Sequence, residues 1–366
     1  MIYIAKDIPL WQVTIWDKKF NNVDKKWQPK TIKYKYLLSD ELDSLRVDDG
    51  DVRILYTGKD VGFTTEELAG DRLSEGEIIS IPWGGIPTVK YHKGKFVTGD
   101  NRIATSKDIN KLTNKYLYYF MRGNIHEIAS YYRGASLKHP CMKDILKMTI
   151  SYPSVQEQDK ICGQFDVLEQ IIEVRKQELQ LLDDLIKARF VEMFNLSDCI
   201  YKSLGECTDF VDYRGHTPEL SDEGIIRMVN AKSVGKGFFK YVDEFVTEET
   251  YDAWMHRGFG YPGDILFVTE GHTFGNTCLI PEDMTKFALG QRVITIKGKE
   301  EIKNAFLCSY MQTDMFWKDI NVYRTGGTAQ GIRSKDLVKV MVPIPPIEQQ
   351  IEFVRFVHKF DKSKVA

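Results

Sequence analysis

Cysteine is scarce, six in 366 residues, and none lies in a Cys-x-x-Cys or Cys/His spacing suited to a metal. Reduced, packed thiols and a cytoplasmic setting are expected rather than a disulfide framework. No eighteen apolar residues run together, so no membrane span is expected, and the opening "MIYIAKDIPLWQ" does not read as a secretory leader. The Gly-x-x-x-x-Gly-Lys-Ser/Thr phosphate loop and the Gly-x-Gly-x-x-Gly turn are both missing. So is the Asn/Asp-Pro-Pro-Tyr/Phe motif with which amino-methyltransferases hold a target amine. The seven histidines stand singly, His256 and His272 without a spaced carboxylate that would suggest a metal. No catalytic residue, metal or cofactor is expected in this chain.

A dominant charge of one sign is missing too, the formal net charge being −2. Residues 1–153 hold 24 Lys and Arg against 19 Asp and Glu, and residues 198–346 hold 17 against 21. Any phosphate contact must come from local patches, and weak nucleic-acid binding is expected of the chain alone.

What the chain does contain is an internal repeat. "MKDILKMTISYPSVQEQ" (142–158) lies over "SKDLVKVMVPIPPIEQQ" (334–350) at a constant offset of 192, with Lys143, Asp144, Lys147, Pro153 and Gln158 recurring as Lys335, Asp336, Lys339, Pro345 and Gln350. Upstream, "GEIISIPWGG" from Gly76 echoes "GDILFVTEGH" from Gly263, and Tyr132-Arg133 echoes Tyr323-Arg324. The order is domain, helix, domain, helix: 1–153, 154–195, 196–345 and 346–366. The first helix opens on Ser154 with Glu157 three residues later, a capping box, after Pro153 has closed a strand. Phe165, Ile172, Leu179, Ile186 and Met193 then hold one heptad position, with Ile161, Leu168 and Leu182 beside it, which is a coiled-coil seam. About 41 residues give a rod of roughly 60 Å. Nine acidic against five basic residues suit it to a spacer and partner surface rather than to lying on DNA; a long interdomain packing helix is the blander alternative. The second copy starts near Pro346 and repeats the seam as Phe353, Val357 and Phe360 before the sequence ends. The stretch Leu179 to Met193 is therefore expected to lack a partner within the chain and to pair with another chain.

Strand-like runs such as "VRILYT", "GDILFVT" and "RVITIKG", cut by Gly and Pro and followed by short aromatic helices, read as an α+β fold in each half. Between them lie loops rich in Gly and polar side chains: 82–94, 131–139, 213–218, 229–237, 269–277 and 323–331. Arg, Lys, Asn and Gln on such loops can meet phosphates or base edges; solvated turns are the plain alternative.

Together, "YPSVQEQDKICGQFDVLEQIIEVRKQELQLLDDLIKARFVEMF" and "VPIPPIEQQIEFVRFVHKF", whose junctions recur about 190 residues apart, with "YRGHTP", "GDILFVTEGHTFGNT" and "WGGIPTVKYHKGKFVTGDNRIA", resemble the specificity subunits of type I restriction–modification systems, over nearly the whole chain. The resemblance implies a pseudo-two-fold internal repeat: two target recognition domains of similar fold separated by long coiled-coil-forming helices. Each domain would read one part of a bipartite double-stranded DNA sequence. The helices would dock two modification (methyltransferase) subunits, which bind S-adenosylmethionine, and a restriction (motor and nuclease) subunit would complete the assembly. The family's second helix runs about as far as its first, so the short copy here departs from the pattern.

By loop position and side-chain chemistry the candidates in the first domain are Lys90, Tyr91, His92, Arg102, Arg133, Ser136, Lys138 and His139. In the second they are Arg214, His216, Thr217, Asn230, Lys232, His272, Thr273, Asn276, Arg324, Thr328 and Gln330. Phe165, Leu168, Ile172, Leu179, Leu182 and Ile186 are the candidates for the helix seam or partner interface. The rivals are a self-sufficient DNA methyltransferase or nuclease, opposed by the missing motifs, and a coiled-coil scaffold that binds no DNA.

Overall fold

The structure, a computed structural model, describes residues 5–17, 31–58, 61–194, 196, 199–213, 217–326 and 330–364. It divides into an N-terminal unit, residues 1–174, and a C-terminal unit, residues 175–366. The division falls inside one 39-residue helix, Val155–Met193.

The two units share one scaffold. In the N-terminal unit a seven-stranded sheet runs in the order Thr31–Ile32, Thr14–Asp17, Asn101–Ser106, Ser74–Pro82, Lys90–Thr98, Val52–Leu55, Val61–Thr64. Its second to fifth strands correspond to the four-stranded sheet of the C-terminal unit: Thr208–Asp212, Val293–Gly298, Ile265–Val268, Thr277–Leu279. The next pairing also recurs. Arg53 lies parallel-paired opposite Phe96, and Arg227 opposite Phe287. Each arginine covers the ring of its antiparallel neighbour, Arg53 over Phe63 at 4.9 Å and Arg227 over Phe245 at 4.8 Å. The difference is one interruption. Where the N-terminal unit runs unbroken from Lys90 to Thr98, the C-terminal unit has a turn at Pro281, which cannot donate to a ladder, and the sheet splits in two.

Alternation along the strands fills both faces of the C-terminal sheet. Ile265, Phe267, Ile294 and Ile296 enter one core with the helix Asn304–Tyr310, while Leu266, Val268 and Val293 enter another. This accounts for a strand that is buried at every position.

Each unit closes on a two-stranded ladder, Ile150 against Ile8 and Val342 against Lys202, and then enters its helix. The junction residue that recurs in sequence explains itself here. Gln158 is fully buried: its Oε1 accepts from the Thr113 N–H (2.8 Å), and its Nε2 donates to the Lys111 (2.7 Å) and Pro153 (2.9 Å) carbonyls. Gln350, also fully buried, repeats this with Lys303 N–H (2.8 Å) and the Glu301 (3.0 Å) and Pro345 (2.7 Å) carbonyls. One amide thus ties the end of the strand, the start of the helix and the loop before the short aromatic helix. A second amide copies itself in the same way. Asn114 accepts from the Ser106 N–H, and Asn304 from the Gly298 N–H, each at 2.6 Å. Gln350→Ala is expected to cost the C-terminal unit about 2 kcal/mol, since three backbone groups, one buried and two partly buried, lose their partner; the shift of its urea midpoint measures this.

Near its start the long helix packs on the N-terminal unit, where Asp166 accepts from Lys115 (2.5 Å) and Tyr119 (2.8 Å) and Phe165 stacks on Tyr119. Its end does not lack an intramolecular partner, contrary to the expectation from the short seam. Phe190 is buried among Phe306, Phe194 and Phe353, the last on the terminal helix Ile347–Lys364. Ile186 and Met193 pack on the same core, Arg189 pairs with Glu352, and Val357 joins from the terminal helix. Even two turns of that helix suffice, because aromatic residues of the domain core complete the packing. The Phe360 side chain lies outside the described positions.

Candidate nucleic-acid interface

In each unit the scaffold brings two sequence-distant loops side by side. In the N-terminal unit the turn after Ser74–Pro82 meets the small hairpin in which Arg133 pairs with His139. The His139 Nδ1 lies 2.6 Å from the Trp83 carbonyl, with the two rings 5.2 Å apart, and the Tyr132 hydroxyl donates to the Pro82 carbonyl. Gly84 is so close that a Cβ there would lie 3.3 Å from the Leu137 side chain. The surface formed exposes Ile86, Arg133, Ser136, Leu137 and Lys138. Arg133 is also paired with Asp144.

The other candidates of this unit are engaged within the fold. Arg102 is 1% exposed, held by Asp17 (3.1 Å) and Asp100 and stacked 4.6 Å over the Trp83 ring. Arg102 therefore supports the loop from inside rather than standing on it. Lys90 donates to the Tyr56 and Gly58 carbonyls, and the Tyr91 hydroxyl donates to Glu77. Burial raises the Tyr91 pKa, so its proton stays in place. His92 sits 3.1 Å from the Lys95 carbonyl, and burial lowers its pKa, so the ring is neutral near pH 7. His139 braces the two loops.

The C-terminal unit repeats the pairing. Its turn 270–276 joins the segment at Gln330–Gly331 through a bridge of Gly331 with Glu270 and through the Gly271 N–H donating to the Gln330 carbonyl (2.9 Å), and Gly331 also bridges to Thr325. Arg324 donates to Gln330 Oε1 (3.2 Å), and His272 and Thr273 occupy the adjoining turn. A third loop joins these two. The Asn276 amide donates to the Val234 carbonyl (3.1 Å), and the Gly237 N–H donates to the Thr277 carbonyl (2.9 Å). That loop presents Lys236 and Phe238, with Lys240 over the Phe238 ring. Asn230 and the exposed Lys232 both bind one carboxylate, Glu244, whose pKa Lys232 and Asn230 lower. Thr217 is exposed on a separate segment, while Arg214, His216 and Thr328 lie outside the described residues.

Sequence reasoning missed Arg292. It holds a left-handed backbone (φ 72°) that side chains rarely adopt, and pairs with Glu270 at 3.1 Å beside Arg324's loop. Lys236, Lys240 and Arg324 are exposed cations on the same joined loops of a domain of net negative charge. The signal available was the Gly-Gln-Arg turn at 290–292. Among the described residues no His, Cys, Asp and Glu group could hold a metal, and the cysteines are free thiols. No helix among them is long and apolar enough to cross a membrane.

On the helices, Phe165, Leu168, Ile172 and Leu179 are exposed, Leu182 is half-buried, and Ile186 packs on the C-terminal core.

Two copies of one α+β scaffold, each presenting paired loops and each leading into a helix, define a tandem-domain recognition protein. Comparison with known proteins makes this specific. The family described as "Type I restriction modification DNA specificity domain" matches residues 42–183 and 209–366, and the chain belongs to it. The specificity subunit of the Escherichia coli type I restriction enzyme EcoR124I/EcoR124II is 25% identical over 71% of this chain and 66% of its own length. That of the E. coli enzyme EcoDI is 21% identical over 74% and 68%. The aligned part of this chain thus spans about two thirds of these curated relatives. The crystal structure of a type I restriction–modification S subunit from M. genitalium has the same fold, with a TM-score of 0.58, 17% identity, and coverage of 99% of this chain and 90% of that one.

Proposed function

We propose that this chain is the specificity subunit of a type I restriction–modification complex, reading a bipartite double-stranded DNA site with one unit per part. The carrying observation is the recurrence of paired, polar, partly cationic loops at equivalent places on two copies of the scaffold. The chain itself is non-catalytic. Two modification subunits dock on its helices and supply S-adenosylmethionine and the methyl transfer, and a restriction subunit completes the complex in the cytoplasm. The exposed seam around Phe165 to Leu179 supports pairing with a second chain.

The test is sequencing of DNA methylated by the chain with its cognate methyltransferase. A bipartite adenine motif is expected, and exchanging residues 198–346 with those of a relative should change one half only. A contiguous motif, or none, would overturn the reading. Within the C-terminal unit, Arg324→Ala should weaken specific binding by the complex about tenfold, roughly the value of one good base or phosphate contact. The melting temperature should hold, because Arg324 is exposed; anisotropy titration reads the first effect and calorimetry the second.

A further inference from the structure

Two large apolar side chains stand exposed on the paired loops of the N-terminal unit, where polar groups would be expected. Ile86, 77% exposed, lies in the turn after Ser74–Pro82, and Leu137, 55% exposed, lies in the facing hairpin loop. They are held there by construction. Gly85 (φ 92°) and Gly134 (φ 143°) take backbone conformations that other residues rarely adopt, and the two loops are fastened by His139 to Trp83 and Tyr132 to Pro82. Lys138 and Arg133, the latter also paired with Asp144, are exposed on the same hairpin as Leu137, so basic side chains accompany the apolar tip. The corresponding turn of the C-terminal unit carries His272 and Thr273 instead.

We infer that Ile86 with Leu137 forms an apolar contact for the C5-methyl group of thymine, making the N-terminal unit's half-site dependent on an A·T pair. This rests on the DNA-reading function proposed above and names what one unit reads. Among groups displayed in the major groove of unmodified DNA, the thymine methyl is the apolar one, and aliphatic side chains are its matching partners. The accompanying basic side chains would meet the phosphates. At the corresponding turn of the C-terminal unit, His272 and Thr273 offer hydrogen-bonding groups in place of the aliphatic pair.

The experiment uses the full chain with its cognate methyltransferase subunits and duplexes of the motif found by methylation sequencing. Each thymine of the N-terminal half-site is replaced in turn by deoxyuridine, which removes the methyl and leaves pairing intact. One or two positions should lose affinity about fourfold, the worth of one buried methyl or methylene. Ile86→Ser, at a site too exposed to disturb folding, should bind the thymine and deoxyuridine duplexes alike, and Leu137→Ser should do the same. The inference is overturned if deoxyuridine has no effect, if the half-site holds no A·T pair, or if both variants keep the difference. It is also overturned if Ile86→Ser weakens assembly with the methyltransferase while deoxyuridine changes nothing, which would make the tip a protein contact. Absence of preference among any duplexes would instead defeat the DNA-reading function itself.

Discussion

Arg102→Ala should lower the unfolding free energy of the N-terminal unit by about 3–5 kcal/mol, the usual result of stranding one partner of a buried ion pair. Asp17 is fully buried, and its second oxygen already accepts from the Ile103 N–H at 2.8 Å. Removing the guanidinium leaves that carboxylate facing the cavity beside the Trp83 ring, which Arg102 covers at 4.6 Å. Urea denaturation followed by tryptophan fluorescence gives the loss. Arg102→Lys should recover little, because one ammonium cannot span Asp17 and Asp100 as a fork does. Asp17→Asn placed on Arg102→Ala should recover much of the loss, since the buried charge is gone while an acceptor for Ile103 remains. If Arg102→Ala costs under about 1 kcal/mol and changes the methylated motif instead, the residue is a base reader after all.

That contrast shows where sequence reading stops. The repeat, the α+β class and both helices were legible, because heptad spacing and the Pro–x–x–x–x–Gln junction are periodic or ordered signals that survive without tertiary information. The split of the C-terminal sheet at Pro281 was not read, although its cause is a single residue. Among the loops, residue type alone did not tell outward from inward. Arg102, His139, Asn230 and Asn276 all have base-reading chemistry, yet each is used to satisfy or brace the loop that carries it. Arg133, Lys138, His272 and Arg324, of the same chemistry, remain exposed. Ile86 and Leu137 went unnoticed because apolar residues near glycine and proline read as core until burial is known. The partner of Phe190 was missed because only helix against helix was weighed, and Phe306 of the domain completes the contact.

A double substitution on the long helix, Ile171→Asp with Leu181→Asp, should abolish co-purification with the methyltransferase subunits and leave the helix content and melting temperature unchanged. The coiled-coil seam is one stripe of this helix, but a second exists. Val167, Val174 and Leu181 each follow a seam residue, Phe165, Ile172 or Leu179, by two positions, about 200° around an α-helix. Ile171 and Leu185 complete the stripe, Glu178 interrupts it, and all five apolar members are 45 to 68% exposed. An apolar stripe on each side of one helix suits a central member of a bundle, with a paired helix on one side and a docked subunit on the other. Burying each side chain contributes about 1.5–3 kcal/mol, so losing two and placing carboxylates there should weaken docking at least a hundredfold. Because both residues are exposed in the free chain, circular dichroism should not register the change. The matching pair on the seam, Phe165→Asp with Ile172→Asp, should reduce self-association in sedimentation velocity instead. Full methylation by the Ile171 and Leu181 variant would remove this stripe from the docking surface.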